Sequence, residues 1–274
     1  MSQDLPTPLP DAIALIREGR PLVHLITNIV SMAACAQAVN SLDASTLFAH
    51  DPHEALEAAL AAQAVVLNVG TSVPGMARTV LRVANGCRDA GIPVVLDPVG
   101  VRATAHRRNL VRDLIGTGGI TAVSGNAAEA AFLAGIEATS RGADSRSTAV
   151  PPAEIATAAA AATGTVVALS GTIDYVATSA SLTAVDNGHA VMGRVVGTGS
   201  SRSAVLGAFL AVAPGQPLRA VLTGVCAYGV AGEQAAARTD GPGYFLPELY
   251  NALAALTDQD VTAHARIGTT PTRV

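Results

Sequence analysis

A glycine turn that opens a helix is the feature of this sequence best suited to chemistry. The extended pair Val195-Val196 is followed by Gly197-Thr198-Gly199-Ser200, and an apolar run begins at Ala204. The first backbone N–H groups of a helix have no partner within it and carry partial positive charge, so they can bind a phosphate group. No acidic residue occurs between Asp186 and Glu233 to oppose an anion. The turn therefore predicts either a phosphate site or an ordinary glycine-bearing helix start.

The basic residues restrict how a phosphate could be held. All 17 are arginine, and lysine is absent. This excludes a Walker-type phosphate loop, which needs a lysine after its glycine, and Schiff-base chemistry on a lysine side chain. Backbone N–H groups, arginine or a metal ion must hold any phosphate that binds here.

Further polar residues recur where apolar segments end. In an open parallel sheet, ligands bind beyond the carboxyl ends of the strands. Each of these residues could instead form only a turn or a helix cap. Their repeated placement favours one shared cleft. They are Thr27-Asn28, Asn68 with Gly70-Thr71, Asp97-Pro98-Val99-Gly100, Gly125-Asn126 with Glu129, and Ser170-Gly171.

The elements that would position these residues alternate along the chain. Short segments rich in Val and Ile are predicted to be strands, namely Leu22–Ile26, Thr46–Phe48, Ala64–Asn68, Val94–Leu96, Ile120–Val123 and Thr165–Leu169. Ala-rich stretches between them have helical patterns, for example Met32–Leu42, Pro52–Ala62, Met76–Ala90 and Pro152–Ala162. Continuous apolar strands alternating with helices predict an α/β fold with a mostly parallel sheet covered on both faces.

The pattern changes after this alternation. Asp174–Thr178, Leu182–Val185 and Ala190–Val195 are close together and separated by turn residues, including Asn187-Gly188. They predict antiparallel hairpins at the edge of the sheet. No linker interrupts the sequence, so we expect a single domain over residues 1–274 with its core at about 10–255 and a poorly ordered tail after Asp260.

Composition bounds the class of protein. Half of the residues are hydrophobic, 14% are charged, and the mean hydropathy is +0.40. These values indicate a large buried fraction that includes a subunit interface. Apolar runs of about ten residues are too short to span a bilayer, and the N-terminus has no signal pattern, so we expect a cytoplasmic protein. A net charge of −4 without a basic tract argues against nucleic-acid binding.

A series of motifs strengthens the interpretation of the polar residues. They are Val23-His24-x-Ile26-Thr27-Asn28-x-Val30, Leu67-Asn68-x-Gly70-Thr71, Val95-Leu96-Asp97-Pro98-Val99-Gly100 followed by Ala103-Thr104, Gly125-Asn126-Ala127-x-Glu129, Asp174-Tyr175, Asn187-Gly188-His189 and Gly197-Thr198-Gly199. In this order, over roughly residues 10 to 255, the sequence resembles the hydroxyethylthiazole kinase family of the ribokinase-like superfamily.

The resemblance implies a function and an assembly. The activity would be transfer of the γ-phosphate of ATP, with Mg²⁺, to the primary alcohol of 4-methyl-5-(2-hydroxyethyl)thiazole in thiamine salvage. The fold would be ribokinase-like, with a mostly parallel central sheet flanked by helices on both faces and antiparallel edge strands. The family forms a homotrimer with active sites at subunit interfaces, which agrees with the high hydropathy.

The resemblance also implies roles for single residues. Ser200, at the family's cysteine position, would be catalytic together with Gly197, Thr198 and Gly199. Nucleotide binding would fall to Ser124, Asn126, Ser170, Gly171 and Arg102. The substrate would meet Asn28, Phe48, Gly70 and Gly197, and the metal would meet Glu129 and Asp97. Alternatively, Asn126 and Glu129 form a helix cap with Glu129 at the surface, and Asp97 only caps its turn.

The chain departs from the family pattern at functional positions. Ser200 replaces a cysteine, and Ser124 replaces an arginine that contacts ATP phosphates. Phe48 and Tyr244 are both larger than the family residues at these positions. A serine hydroxyl is a poor base, and loss of a general base costs about 10²–10⁴ in rate. Phosphoryl transfer nevertheless depends mostly on positioning. The alternatives are a catalytically weak or inactive paralogue that binds nucleotide or small ligands as a trimer, and a kinase of another small alcohol.

Two arginines bear on the loss at Ser124. Arg102 lies just after the Asp97–Gly100 segment, and Arg202 lies in the first turn of the helix after Ser200. Our hypothesis is that one of them replaces the charge missing at Ser124. The alternative is that both face solvent.

Overall fold

A twisted sheet runs through the part of the chain that a computed structural model describes, residues 6–137 and 150–268. Its order is β2-β1-β3-β4-β5-β6-β7-β8-β9. Strands β1 to β6 are parallel, and β7, β8 and β9 pair antiparallel at one edge. The strands are β1 Leu22–Ile26, β2 Ser45–Leu47, β3 Ala64–Asn68, β4 Val94–Asp97, β5 Ala122–Asn126, β6 Val166–Ser170, β7 Asp174–Ala177, β8 Leu182–Val185 and β9 Ile267–Gly268.

Helices cover both faces of the sheet, as the sequence predicts. They are α1 Ala12–Gly19, α2 Met32–Asn40, α3 Ala55–Ala61, α4 Met76–Ala90, α5 Ala105–Gly116, α6 Ala127–Leu133, α7 Pro152–Thr163, α8 Thr198–Val212, α9 Pro217–Ala236, α10 Phe245–Ala255 and α11 Asp258–His264. Because side chains alternate along a strand, Val66 packs with α8 and α9 on one face while Val65 and Leu67 pack with α4 and α5 on the other. No helix in the described ranges is long and apolar enough to cross a membrane.

The prediction of a strand at Ala190–Val195 was wrong. Residues Ala190–Arg194 form a 3-10 helix, whose first turn is capped by the side chain of His189. The Asn187 side chain does not serve a hairpin turn. It accepts from the N–H of Arg266 at 2.8 Å and donates to the carbonyl of His264 at 2.9 Å. The outer edge of β8 is therefore paired with β9, which comes from the C-terminal end of the chain.

The same contacts correct the prediction of a poorly ordered tail after Asp260. Thr257 and Asp260 form a capping box that starts α11, and β9 follows it. The guanidinium of Arg266 pairs with Glu233 on α9 and donates to the carbonyl of Asp186. Residues 261–268 are thus held by an ion pair and by strand pairing, which composition alone does not reveal. The residues after 268 lie outside the described range.

Helix α8 carries the glycine turn and lies directly on the sheet. All of its residues from Ser201 to Leu210 are buried. A Cβ on Gly207 would lie 2.8 Å from Cγ2 of Val66 and 3.0 Å from Cγ1 of Val23. The missing side chain therefore lets the helix approach β1 and β3 closely. This approach sets the distance between the first turn of α8 and the ends of the strands.

We expect Gly207→Ala to lower the free energy of unfolding by about 1–3 kcal/mol, because the added methyl overpacks two branched side chains of the sheet. Denaturant unfolding monitored by circular dichroism measures this change. Gly116→Ala is the matched control, since Gly116 ends α5 and a methyl group added there would have no described atom within 4 Å. Equal stability of the two variants would contradict the close packing of α8.

Candidate active site

A cavity of about 1080 Å³ opens where the parallel strands end. Asn28 follows β1, Gly70 follows β3, and Asp97 ends β4. Strands β5 and β6 and the first turn of α8 supply the remaining walls. The predicted site residues on this lining are Asn28, Gly70, Asp97, Arg102, Ser124, Asn126, Glu129, Ser170, Gly197, Gly199 and Ser200. The structure therefore brings together residues that are separated by up to 172 positions in the chain.

The start of α8 leaves backbone N–H groups for a ligand. Gly197 has φ +96°, a left-handed conformation that favours glycine, and no described side chain caps the helix. The Thr198 hydroxyl donates to the carbonyls of Met192 and Val195 at 2.8 and 2.9 Å, so it fastens the preceding loop and does not line the cavity. Tyr228 donates to the Thr198 carbonyl at 2.8 Å. The turn is thus rigidly held while its N–H groups stay available.

The Ser200 hydroxyl lies at the centre of a short polar network. Its Oγ accepts from Nδ2 of Asn28 at 3.3 Å and from Nδ2 of Asn68 at 3.0 Å. The same Asn68 nitrogen donates to Oδ2 of Asp97 at 2.5 Å. The side-chain oxygen of Asn28 accepts from the N–H of Ser31 at 3.0 Å, which fixes the orientation of that amide. The network holds Ser200 between two amides and a carboxylate.

Two carboxyl groups lie in the cavity with unusual ionisation. Burial raises the pKa of Asp97 to about 6, although hydrogen bonds from Ser200, Ser203 and Asn68 and the charge of Arg202 favour its ionised form. Burial, together with the charge of Asp97, raises the pKa of Glu129 to about 7. A cation bound nearby would stabilise the ionised form of both carboxyl groups.

Glu129 also has a structural role. Its Oε2 accepts from the N–H of Asn126 at 2.9 Å, while Oδ1 of Asn126 accepts from the N–H of Glu129 at 3.0 Å. This reciprocal pair is a capping box at the start of α6. Oε1 accepts from the N–H of Gly100 at 3.1 Å. The cap considered as an alternative is present, but Glu129 is half-buried on the cavity wall and not at the surface.

The donor set suits one kind of metal. Within the described ranges, no group of three or more His, Cys, Asp and Glu side chains could hold a metal ion. Mg²⁺ usually keeps several waters and binds through one or two carboxylates and substrate phosphates, not in an all-protein cage. Asp97 and Glu129 match that requirement, whereas a structural zinc site would need about four ligands.

The chain can now be compared with known proteins. The model of the Hydroxyethylthiazole kinase family matches residues 13–259. This chain belongs to the hydroxyethylthiazole kinase family. Hydroxyethylthiazole kinases of Methanoculleus marisnigri and Granulibacter bethesdensis are 40% and 42% identical to it, over 93% and 89% of this chain and 91% and 88% of theirs.

Solved structures agree with this assignment. Hydroxyethylthiazole kinase from Pyrococcus horikoshii OT3 superposes with a TM-score of 0.84 at 34% identity, covering 94% of this chain and 97% of that one. A ribokinase-like superfamily protein from Enterococcus faecalis has a TM-score of 0.60 at 12% identity, over 90% of this chain and 95% of that one. The second comparison shows the shared ribokinase-like fold, which confirms the predicted fold class.

Three residues that the family resemblance assigned to the site lie off the cavity wall. The Thr198 hydroxyl faces the preceding loop, as described above. The N–H of Gly171 donates to Oδ1 of Asp174 at 3.0 Å in the turn between β6 and β7. Phe48 is half-buried and stacks on His50 with ring centroids 6.5 Å apart. Tyr244, the other enlarged residue, is 78% exposed. Within the described part of the chain, neither large side chain narrows the cavity.

The structure separates the two arginines of this family member. Both Arg102 and Arg202 line the cavity. Arg102 is half-buried, and its carbonyl accepts from Arg108 at 2.9 Å. Arg202 is only 5% exposed, and it reaches Oγ of Ser124 at 3.2 Å. The alternative in which both arginines face solvent is therefore wrong for Arg202.

We expect Glu129→Gln to gain stability relative to the wild type as pH rises from 5 to 8, by up to about 3 kcal/mol. A carboxyl whose pKa is raised by folding binds more protons in the folded state, so stability falls as pH rises towards its folded pKa of about 7. Glutamine keeps the capping box and removes the ionisation. Thermal unfolding of both proteins at each pH, in EDTA, gives the difference.

This comparison cancels the titrating groups other than Asp97, whose charge acts on Glu129. Burial lowers the pKa of His24 from 6.5, which makes the wild type more stable as pH rises in the acidic range, but the variant retains this histidine. Added Mg²⁺ should raise the unfolding temperature of the wild type more at pH 8 than at pH 5, because it binds ionised carboxylates. A stability difference that is constant with pH would contradict the raised pKa of Glu129.

Proposed function

We propose that this chain transfers the γ-phosphate of ATP to the primary alcohol of 4-methyl-5-(2-hydroxyethyl)thiazole, the salvage reaction for the thiazole part of thiamine. The observation that carries the proposal is the uncapped first turn of α8, which shares one cavity with Ser200, the buried Asp97 and the half-buried Glu129. Family membership supports the same reaction, since the relatives are hydroxyethylthiazole kinases.

Each part of the cavity has a role in this proposal. The alcohol oxygen forms a bond to the γ-phosphorus, the bond from phosphorus to the bridging oxygen breaks to leave ADP, and the alcohol proton is released to water. The N–H groups of Gly199 and Ser200 stabilise negative charge on the transferring phosphoryl group. Asn28 and Gly70 line the acceptor end.

The opposite part of the cavity would bind the nucleotide. Asn126 and Ser170 lie at the ends of β5 and β6, and the Ser170 hydroxyl donates to the carbonyl of Gly125 at 3.3 Å. Asp97 and Glu129 would hold Mg²⁺, the second through its water ligands. A bound Mg²⁺ would neutralise phosphate charge during transfer.

Ser200 would orient the acceptor hydroxyl but would not accept its proton. A serine hydroxyl near neutral pH stays protonated, and the Asn28 and Asn68 amides already occupy its oxygen. In the free chain its hydrogen points to the Asp97 carboxylate, and on binding it would turn to the oxygen of the alcohol. Phosphoryl transfer tolerates this arrangement because its barrier falls mainly through positioning and charge stabilisation. We infer a working but slow enzyme.

The proposed assembly is a cytoplasmic homotrimer of one-domain subunits. Ile29, Val30 and Val196 are 71%, 72% and 73% exposed, and two of them line the cavity mouth. Exposed apolar residues around a ligand site favour a neighbouring subunit that covers them. Sedimentation equilibrium would test the trimer.

Product formation tests the proposed reaction. Purified protein is incubated with Mg-ATP and the thiazole alcohol, and the phosphorylated thiazole is quantified by mass spectrometry. Product that requires both Mg²⁺ and ATP supports the proposal. Mg-ATP binding without phosphorylation of this alcohol would overturn it, and a panel of other small primary alcohols would then separate a kinase of another acceptor from a non-catalytic paralogue.

A further inference from the structure

Arg202 is a buried cation beneath the proposed phosphate site. It lies in the first turns of α8, two residues after Ser200, and its side chain is 6% exposed. The side chain lines the cavity. A guanidinium is almost never buried without a compensating partner, because removing its charge from water is costly. The groups around Arg202 therefore indicate which partner its guanidinium binds.

The fold holds the guanidinium from three strands. One terminal nitrogen donates to Oδ2 of Asp174 at 3.0 Å, and the other donates to Oγ of Ser124 at 3.2 Å and to the carbonyl of Ala168 at 3.0 Å. Asp174 is itself fixed by the N–H of Gly171. Ser203 donates to Ser124 at 3.0 Å, so the serine is also fixed. These contacts position the group without using all of its donors.

One donor remains unsatisfied. Nε of Arg202 is buried and has no hydrogen-bond partner among the described residues. An unpaired buried donor costs about 1–3 kcal/mol, and more when the group is charged. Without a ligand, the folded chain bears this cost. An anion bound in the cavity would offset it by accepting hydrogen bonds from the guanidinium.

Arg107, another arginine of the cavity wall, has a different role. Its guanidinium donates to the carbonyls of Gly70 at 2.6 Å and Val99 at 3.3 Å, so it braces two loops. Arg202, in contrast, acts through its charge on both Asp97 and Glu129, where it opposes the rise in pKa that burial causes. Its field therefore acts where phosphate and metal would meet.

We propose that Arg202 binds the phosphate groups of the nucleotide, with Asp174 and Ser124 holding its guanidinium in position. The inference rests on the proposed kinase function and adds a residue to it. Hydrogen bonds from a charged guanidinium to phosphate oxygens are strong, and two of the five N–H donors of Arg202, one on Nε and one on the nitrogen that contacts Asp174, remain for such bonds. The unpaired N–H groups at the start of α8 and this guanidinium would then hold phosphate oxygens from two sides.

Arg202→Lys and Arg202→Gln test the proposal. The probes are Mg-ADP binding by calorimetry, without acceptor, and the KM for Mg-ATP. We expect the Kd and KM to rise about tenfold in the lysine variant, which keeps the charge but loses the planar set of donors, and about a hundredfold in the glutamine variant. The KM for the thiazole alcohol should change less than twofold. Unfolding temperatures without nucleotide are measured in parallel.

Two further variants distinguish binding from support of the fold. Ser124→Ala removes one of the positioning contacts and should raise the Kd of Mg-ADP less than threefold. Arg202→Ser combined with Ser124→Arg returns a guanidinium to the same place from β5, and it should bind Mg-ADP at least tenfold more tightly than Arg202→Ser alone. The unfolding temperature of this exchange variant is measured as well, because rescue of Mg-ADP binding without recovery of stability would not follow from a merely structural role of Arg202.

The outcomes separate this proposal from the proposed function. Variants that unfold at lower temperature but bind Mg-ADP with the wild-type Kd would overturn the role of Arg202 and leave the kinase intact. A wild type that binds Mg-ADP and phosphorylates no alcohol would overturn the proposed function, while weaker binding by Arg202→Gln would still support the phosphate contact.

Discussion

Ser200→Cys is expected to raise kcat above the wild type by about tenfold to a hundredfold, and Ser200→Ala to lower it, so that the two variants differ by about 10²–10⁴. A thiol at the start of α8 would ionise more easily than a free cysteine, because the helix dipole and the N–H groups of Asn28 and Asn68 favour the thiolate. A thiolate can accept the proton of the alcohol, which the serine hydroxyl cannot do near neutral pH.

The pH dependence identifies the reason for any gain. The rate of the cysteine variant should rise with pH through the ionisation of the new thiol, a step that the wild type lacks. The nearby charge of Asp97 moves this ionisation towards higher pH and so limits the gain near neutrality. Initial rates with saturating Mg-ATP and thiazole alcohol, from pH 6 to pH 9, would record both effects.

Ser41→Cys is the matched control for an added thiol, since Ser41 lies at the C-terminal end of α2 and its hydroxyl donates to the carbonyl of Gln37. Its rate should equal that of the wild type. Equal rates for Ser200→Ala and the wild type, with no gain in Ser200→Cys, would show that the group at this position takes no part in the reaction.

The parallel half of the fold could be predicted because its signals are local. Strands β1 and β3 and helix α4 have the predicted bounds, since each is a continuous apolar run or an amphipathic pattern that ends at polar or glycine residues. The antiparallel edge was predicted only for β7 and β8. The next strand in space, β9, comes from residues 82 positions after the end of β8, and no local pattern could place it there.

The site could be predicted to a similar extent. The strand-end rule anticipated a cleft with Asn28, Gly70 and Asp97 on its wall, because parallel strands end at one edge whatever the details of packing. The ion pair between Arg202 and Asp174 was missed, since it joins residues 28 positions apart on a helix and a strand. One signal was present: Arg202 is the one charged residue in the sequence of α8, whose residues are otherwise small or apolar.

We expect Asp97→Asn to lower kcat at pH 8 by about a hundredfold or more, because a metal ion held by this carboxylate would supply several kcal/mol of charge stabilisation to the transition state. At that pH the Asp97 carboxyl, with its pKa of about 6, is ionised. Asparagine has the same shape and can still accept from Asn68, so the polar network around Ser200 survives the change.

The same substitution should stabilise the folded chain without metal. Burial of the Asp97 charge opposes folding above its pKa, and the neutral amide removes that cost, so the free energy of unfolding at pH 8 in EDTA should rise by about 1–3 kcal/mol. Mg²⁺ should then raise the unfolding temperature less than it does for the wild type. A loss of activity together with a gain of stability separates a metal-binding carboxylate from one that only supports the turn after β4.

Asp113→Asn provides the control, since Asp113 is an exposed acid on α5 with the same charge change and no place on the cavity wall. It should leave kcat and the effect of Mg²⁺ unchanged. If Asp97→Asn instead unfolds more easily at pH 8 and keeps its kcat, then Asp97 stabilises its turn through hydrogen bonds to its carboxylate, and the Mg²⁺ must be held without it. Asp97 is buried at the end of β4, against Asn68 and Ser200. This position favours loss of activity with a gain of stability, because a residue that only caps a turn gains no stability from a charge buried away from water.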